Sequence, residues 1–325
     1  MLRTYVQYGL PPEYRLPVSI EETGDSNEAL CSCSTFLNKY EELGYVIVRK
    51  LVPPSLCEEV VAAFCRRVKP FSGCLLRQAS ARLGPHLFTP DGYMANALLS
   101  IHALVESRFK DFRNRAIDVI AGRHTQRVAG ELLAGAPLLV ESMYFESTLI
   151  GVPLHADGDY MDSDVGGTML GAWFALEDIA PFAGRFIVVP RSHRLDKGAG
   201  GAAVAYREFR SRQAGTSATI SSDMKANVKR RLQEATLLHR AISDADLSVV
   251  APMLNKGDAI FWNAGLVHGS LSPESRGFSR NSLTAHYIAD KQALMVHGRR
   301  VDFATETHHG MKLRIAHNQE SDRPS

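Results

Sequence analysis

After Pro137 the chain breaks into short apolar segments set between turn signals, at 138–146, 152–156, 169–176, 185–190, 258–263, 266–270 and 281–288. Runs this short are too brief for globular helices and match the length of strands. Strands with an apolar face must bury it, so the pattern predicts an antiparallel β sandwich or barrel. Gly184, between Phe182 and Phe186, marks a tight hairpin, and the PRSH run at 190–193 marks a turn. Residues 195–250 interrupt the pattern. They are rich in Gly, Ala, Ser, Lys and Arg, with a helical section near 223–241. An insertion of this length between strands commonly serves as a lid or substrate-facing element. The alternative is a solvated surface excursion.

The part before Pro137 has a different texture. Residues 1–30 are polar and weakly patterned, which suggests an extended arm. The β-branched run GYVIVR at 44–49 reads as a strand. Pro53 and Pro54 then open a helix, with Ser55 and Glu58 as a capping box. Leu56, Val60, Ala63 and Phe64 give that helix a 3.6-residue stripe. Residues 70–100 look irregular. Helices are expected at 102–121, on the stripe from Ile101 through Phe112 to Ile120, and at 124–134. The expected organisation is one domain over 31–290, mainly β with an α-helical N-terminal flank. Residues 291–325 form a C-terminal extension with a polar tail that carries His308 and His309.

Composition narrows the partners. The 325 residues are 45% hydrophobic and 22% charged, with a formal net charge of +2. That balance gives no electrostatic case for nucleic acid or a membrane surface. No apolar run approaches the roughly 20 residues of a membrane span, and the N-terminus lacks a basic-then-apolar signal pattern. A cytoplasmic protein is expected. All five cysteines (31, 33, 57, 65 and 74) lie in the first quarter without zinc-ligand spacing. Cys57 and Cys65, eight apart, read as buried residues on one helix face. Nothing in the sequence specifies an oligomeric state.

The candidate chemistry sits in the β region. His155 and Asp157 are one residue apart along a strand, so their side chains share a face and can converge on one ion. His-x-Asp alone is weak, since a chain with 12 histidines meets it by chance about as often as not. Context adds weight: Pro153 and an apolar segment precede the motif, and Gly158 follows it. A third ligand must come from a distant strand, and His268 follows the turn-and-strand segment GDAIFW at 257–262. Two histidines and a carboxylate can hold ferrous iron on one face and leave its other positions open. A zinc hydrolase could use the same three residues but needs a placed general base. Asp157, Asp159, Asp162 and Asp164 suggest a calcium loop, yet Asp162 stands where the loop needs glycine and Thr168 where it needs glutamate. No G-x-S-x-G, P-loop or G-x-G-x-x-G is present.

Five segments occur in the order of one family: GYVIVRKLVPP near the start, HAD at 155–157, GAWFALEDIAPFAGRFIVVPRSHR at 171–194, KGDAIFWNAGLVHGS at 256–270 and SRNSLTAHY at 279–287. Together they resemble the phytanoyl-CoA dioxygenase family of iron(II)- and 2-oxoglutarate-dependent oxygenases. The likeness covers most of 40–290, with 195–250 unmatched. It implies a double-stranded β-helix, or jelly-roll, of cupin-like type. It also implies Fe(II), 2-oxoglutarate as cosubstrate and O2. The iron ligands would be His155, Asp157 and His268. Arg280 would pair with the distal carboxylate of 2-oxoglutarate, for which its rigid, permanently charged fork is suited. Ser270 and Trp173 match positions that line the cosubstrate, and Ser282 could add a donor. Met143 and Tyr144 are candidates for a further contact from the segment before 155. The family often has H-Q-D where this chain has H-A-D, and P-G-S-H where it has P-R-S-H.

The implied reaction is oxidation of a small-molecule metabolite, by default hydroxylation in a biosynthetic tailoring step, with release of succinate and CO2. Asp157 argues against halogenation, since related halogenases put a small residue there. Desaturation, cyclisation and epimerisation use the same ligands. Arg77, Arg82, His102 and the 195–250 segment are candidate substrate contacts. The rival of another class is a non-catalytic jelly-roll that binds a metabolite or a protein.

Overall fold

The computed structural model describes residues 2–5, 10, 15–20, 33–197, 201–215, 224–274 and 277–315. Two sheets face each other. The larger runs, in spatial order, through Tyr45–Val48, Ala259–Asn263, Leu170–Ala175, Ser282–Ala289, Pro137–Phe145, Leu98–Leu99, Leu75–Arg77 and Arg82–Gly84. The smaller runs through Leu2–Tyr5, Leu16–Ile20, Val249–Ala251, Phe186–Val188 and His268–Ser270. From Leu170 onward the chain passes back and forth between the sheets. This is the jelly-roll arrangement, with the two sheets facing and no closed barrel. Strand alternation divides the core accordingly. On Ala259–Asn263, Ala259 and Phe261 enter the helix-side core, whereas Ile260 and Trp262 enter the core between the sheets. The unbroken apolar run AIFW is thus the signature of a strand buried on both faces.

Four helices belong to the larger sheet's side: α1 (Cys33–Leu43), α2 (Pro54–Ala63), α3 (Lys110–Ile120) and α4 (Arg123–Leu133). Several local expectations are corrected. The helix expected at 102–121 begins only at Lys110, because Ser100 takes a left-handed φ of 52° and Glu106 is extended; Ile101–Ala103 and Ser107–Phe109 are 3-10 turns. The capping box does not form: Pro53 is the cap, without a side-chain bond, and Glu58 instead pairs with Lys256. A π turn at Phe64–Val68 shifts the helical register, so Cys57 is buried but Cys65 is exposed. The segment 70–100 holds three short strands that widen the larger sheet.

The segment 195–250 contributes two helices, α5 (Gly201–Gly215) and α6 (Met224–Asp244). Tyr206, Leu238, Ala241 and Ile242 pack against Ile187, Val249 and Ala251 of the smaller sheet, together with Val18. The described residues of 1–30 add two strands to that sheet, Leu16–Ile20 running parallel to Val249–Ala251. The extension beyond 290 is more built than a tail. Thr305–His308 and Met311–Arg314 form a hairpin that joins Pro137–Phe145, burying Met311 and Leu313. No described helix is long and apolar enough to cross a membrane.

Candidate metal centre

His155 and His268 are brought together by their backbones. They form an isolated antiparallel bridge in which His155 N–H donates to His268 O (3.0 Å) and His268 N–H to His155 O (2.9 Å). Directly opposed residues that exchange both bonds project their side chains to the same face, and the two rings lie 4.4 Å apart. Asp157 arrives differently from expectation: the expected strand 152–156 is reduced to the bridge at His155, and Asp157 opens a 3-10 turn, Asp157–Asp159. Its Oδ1 still lies 3.6 Å from Nε2 of each histidine. One ligand atom from each of the three residues fits within 4.8 Å of the others.

The hydrogen bonds behind these atoms set their state. Nδ1 of His155 lies 2.8 Å from Pro153 O, and Nδ1 of His268 lies 3.0 Å from Leu266 O. A carbonyl only accepts, so each Nδ1 carries a proton, and each ring in its neutral form presents the Nε2 lone pair inward. Burial pushes His268 down to about 4. Burial also depresses His155, but contact with Asp157 outweighs it and leaves its pKa above the ordinary value. Burial would raise the Asp157 carboxyl; His268, His286 and His155 around it hold it well below the usual carboxylate range. Asp157 Oδ1 accepts from Tyr160 Oη (2.6 Å), while Oδ2 accepts from Trp262 Nε1 (2.8 Å) and lies 3.1 Å from His286 Nε2. A divalent ion binds the carboxylate and the neutral form of each imidazole, so it competes with the proton that Asp157 favours on His155; two nitrogens with one oxygen suit ferrous iron.

Arg280 lies in the same interior. It is 3% exposed, donates from Nη1 to Gly184 O (2.6 Å) and leaves Nε without a partner. Burial lowers its guanidinium to about 10. No described carboxylate pairs with it. Ser282, Thr284 and His286 alternate along one strand and share the inward face, and Arg280 stands two residues before Ser282. Ser282 donates to Arg280 O (3.1 Å), a local bond that uses its proton. Ser270 Oγ accepts from Val152 N–H (2.9 Å), which leaves its own proton to give. Trp173 is buried between the sheets, its ring 5.9 Å from that of Phe186. Met143 pairs with Thr284 and follows the inward face. Tyr144 turns outward, packs on Phe64 and Phe112 and donates to Asn281.

The substrate-contact candidates are placed elsewhere. Arg77 is buried and bound to Gly84 O and Asn96 O, and Arg82 lies on the exposed strand beside it. His102 is buried against Ser142. His309 meets Asp118 on the surface. The 195–250 segment does approach the centre: Tyr206 of α5 donates to Asp159 (3.1 Å), and Arg210 pairs with the same carboxylate, two residues after Asp157. Sequence reading missed Trp262, His286 and Tyr160 as partners of Asp157. A signal for His286 was present, since it falls on the alternation that begins at Arg280.

A search of curated proteins finds no match. Among solved structures, the chain resembles SnoN, an α-ketoglutarate-dependent epimerase from nogalamycin biosynthesis, with 16% identity and a TM-score of 0.54 over 87% of this chain and 98% of that one. It resembles the carbocyclase SnoK of the same pathway with 17% identity and a TM-score of 0.52, over 85% and 90%. Iron-bound EctD from S. alaskensis gives 17% and 0.53, over 85% and 83%. At such identities these likenesses establish the fold. The sequence profile of phytanoyl-CoA dioxygenase (PhyH) matches residues 40–282, three quarters of the chain and all the residues of the centre except His286. The chain therefore belongs to the phytanoyl-CoA dioxygenase family of iron(II)- and 2-oxoglutarate-dependent oxygenases.

Proposed function

We propose that this enzyme oxidises a small-molecule metabolite, by hydroxylation, with Fe(II) held by His155, Asp157 and His268 and with 2-oxoglutarate anchored by Arg280. The observation that carries this reading is a pairing inside one sandwich: a compact His, Asp, His atom cluster, and a buried guanidinium with no described carboxylate. A metal site alone would fit a hydrolase equally well. A buried arginine that lacks an anion calls for one from a ligand.

Iron and 2-oxoglutarate, when bound, supply dioxygen activation with release of succinate and CO2. The chain's own residues do the rest. His155 and His268 present lone pairs because their Nδ1 protons are spent on Pro153 and Leu266 carbonyls. Arg280 and the Ser270 hydroxyl orient the cosubstrate, and the Trp173 and Phe186 rings keep water from the space beside it. His155, whose side chain is 31% exposed, marks the side open to substrate, whereas His268 at 6% lies on the closed side. We read 31–290 as the catalytic domain, with α5 steadying the turn that follows Asp157.

The test is optical. Anaerobic addition of Fe(II) and 2-oxoglutarate should raise a visible charge-transfer band, which His268→Ala should abolish. Folded protein that gives no band would overturn the reading. Succinate release across a metabolite library then finds the substrate. Because SnoN is described as an epimerase and SnoK as a carbocyclase, product analysis must accompany it. A product carrying no new hydroxyl would move the assignment to desaturation, cyclisation or epimerisation.

A further inference from the structure

We infer that His286 and Trp262 are positioning residues that pin Oδ2 of Asp157, so that the carboxylate offers a metal only Oδ1. The inference rests on the metal centre proposed above. Oδ1 is the oxygen 3.6 Å from both histidine Nε2 atoms. Oδ2 faces the other way, toward Trp262 Nε1 at 2.8 Å and His286 Nε2 at 3.1 Å. An indole N–H can only donate, which fixes the role of Oδ2 without ambiguity. All three side chains are buried, Asp157 and Trp262 at 1% and His286 at 2% exposure.

His286 is not explained by packing. Its Nδ1 is buried without a partner among the described residues, and its polar contact is Asp157. An apolar side chain of similar shape would avoid the orphaned nitrogen. The neighbouring strands are arranged around the same contact. His286 pairs with Gly171 across one ladder, and Gly171 pairs with Trp262 across the next. A Cβ on Gly171 would lie 2.2–2.5 Å from the indole, so glycine makes the room in which Trp262 reaches Asp157. A carboxylate free to swing could chelate through both oxygens. It would then take a coordination position that a chelating cosubstrate and dioxygen need. Partners behind a ligand orient it and tune its affinity.

Co(II) binding, followed by calorimetry and visible absorption, tests this without turnover. Gln at 286 can place an amide N–H where Nε2 stands; Asn places one near Nδ1, short of Asp157. His286→Asn should bind Co(II) about 10–100-fold more weakly and alter its absorption bands as the second oxygen enters the shell. His286→Gln should stay close to wild type in both. Trp262→Phe keeps the ring, removes the N–H, and should weaken binding too; it decides the question if His286→Asn does not fold. Binding unchanged in all three variants, or lost equally in Asn and Gln, overturns the inference while the metal centre stands. Co(II) binding that survives His268→Ala overturns the centre, and the inference with it.

Discussion

Arg280 carries a positive charge into a volume where no described carboxylate meets it. An unpaired buried charge opposes folding, and burial already lowers this guanidinium to about 10. The protein without ligands should therefore gain from its removal or be indifferent to it. With the cosubstrate the sign reverses, because the distal carboxylate would complete a charge-assisted, two-pronged pair worth about 2–5 kcal/mol when one side is truncated. Arg280→Met is thus expected to leave the apo melting temperature unchanged or raised. The same change should weaken 2-oxoglutarate binding to the Mn(II)-loaded protein about 100-fold or more. Arg280→Lys, which keeps charge but not the fork, should fall between the two. Apo stability that drops sharply in Arg280→Met, with cosubstrate affinity intact, would make Arg280 a structural residue.

Elements place what residues need, and Gly171 is the clearest case. It faces Trp262 on the next strand, and an added methyl would collide with the indole at 2.2–2.5 Å. The indole is a rigid ring in a packed core, so it must tilt away from Asp157. Gly171→Ala should cost about 1–3 kcal/mol by overpacking, read as a shift in urea midpoint. It should also weaken metal binding, although residue 171 touches no ligand. Metal affinity equal to wild type would disconnect the strand register from the centre. This coupling was not legible in the sequence. The clustering of His155, Asp157 and His268 was, because residue type, spacing and motif order all bear on it. The place of His286 on the inward alternation was legible but its role was not, since its partner lies 129 positions away and a hydrogen bond leaves no periodicity. Most strands after Pro137 were legible because turns punctuate them; 152–156 was not one, since it makes only the bridge at His155. Helix α5 was not, as its Gly, Ala and Arg content dilutes the stripe on which helix reading depends. The helix expected from 102 failed at Ser100 and Glu106, where backbone angles rather than side-chain pattern decide.

At the scale of the molecule, the proposed ligands sit across the join of the sandwich. His268 belongs to the smaller sheet, Arg280 leads into a central strand of the larger one, and Asp157 lies on the turn between them. The outer faces are already held, the larger sheet by α2, α3 and α4 and the smaller by α5 and α6. Between the sheets, two buried polar atoms lack a partner among the described residues, Arg280 Nε and His286 Nδ1. Ligands that bind only the folded state stabilise it by mass action, about 2.7 kcal/mol at 100 times the dissociation constant. For a chain of this size that is roughly 5 °C in melting temperature. Mn(II), which does not turn over, should therefore raise the melting temperature alone. 2-Oxoglutarate should do little alone and add a further rise with Mn(II), since it needs both the ion and Arg280. Arg280→Met should keep the first rise and lose the second, and His268→Ala should lose both. If 2-oxoglutarate without metal stabilised as much as the pair, the cosubstrate would be binding away from the ion, and the link between the two sheets would fail.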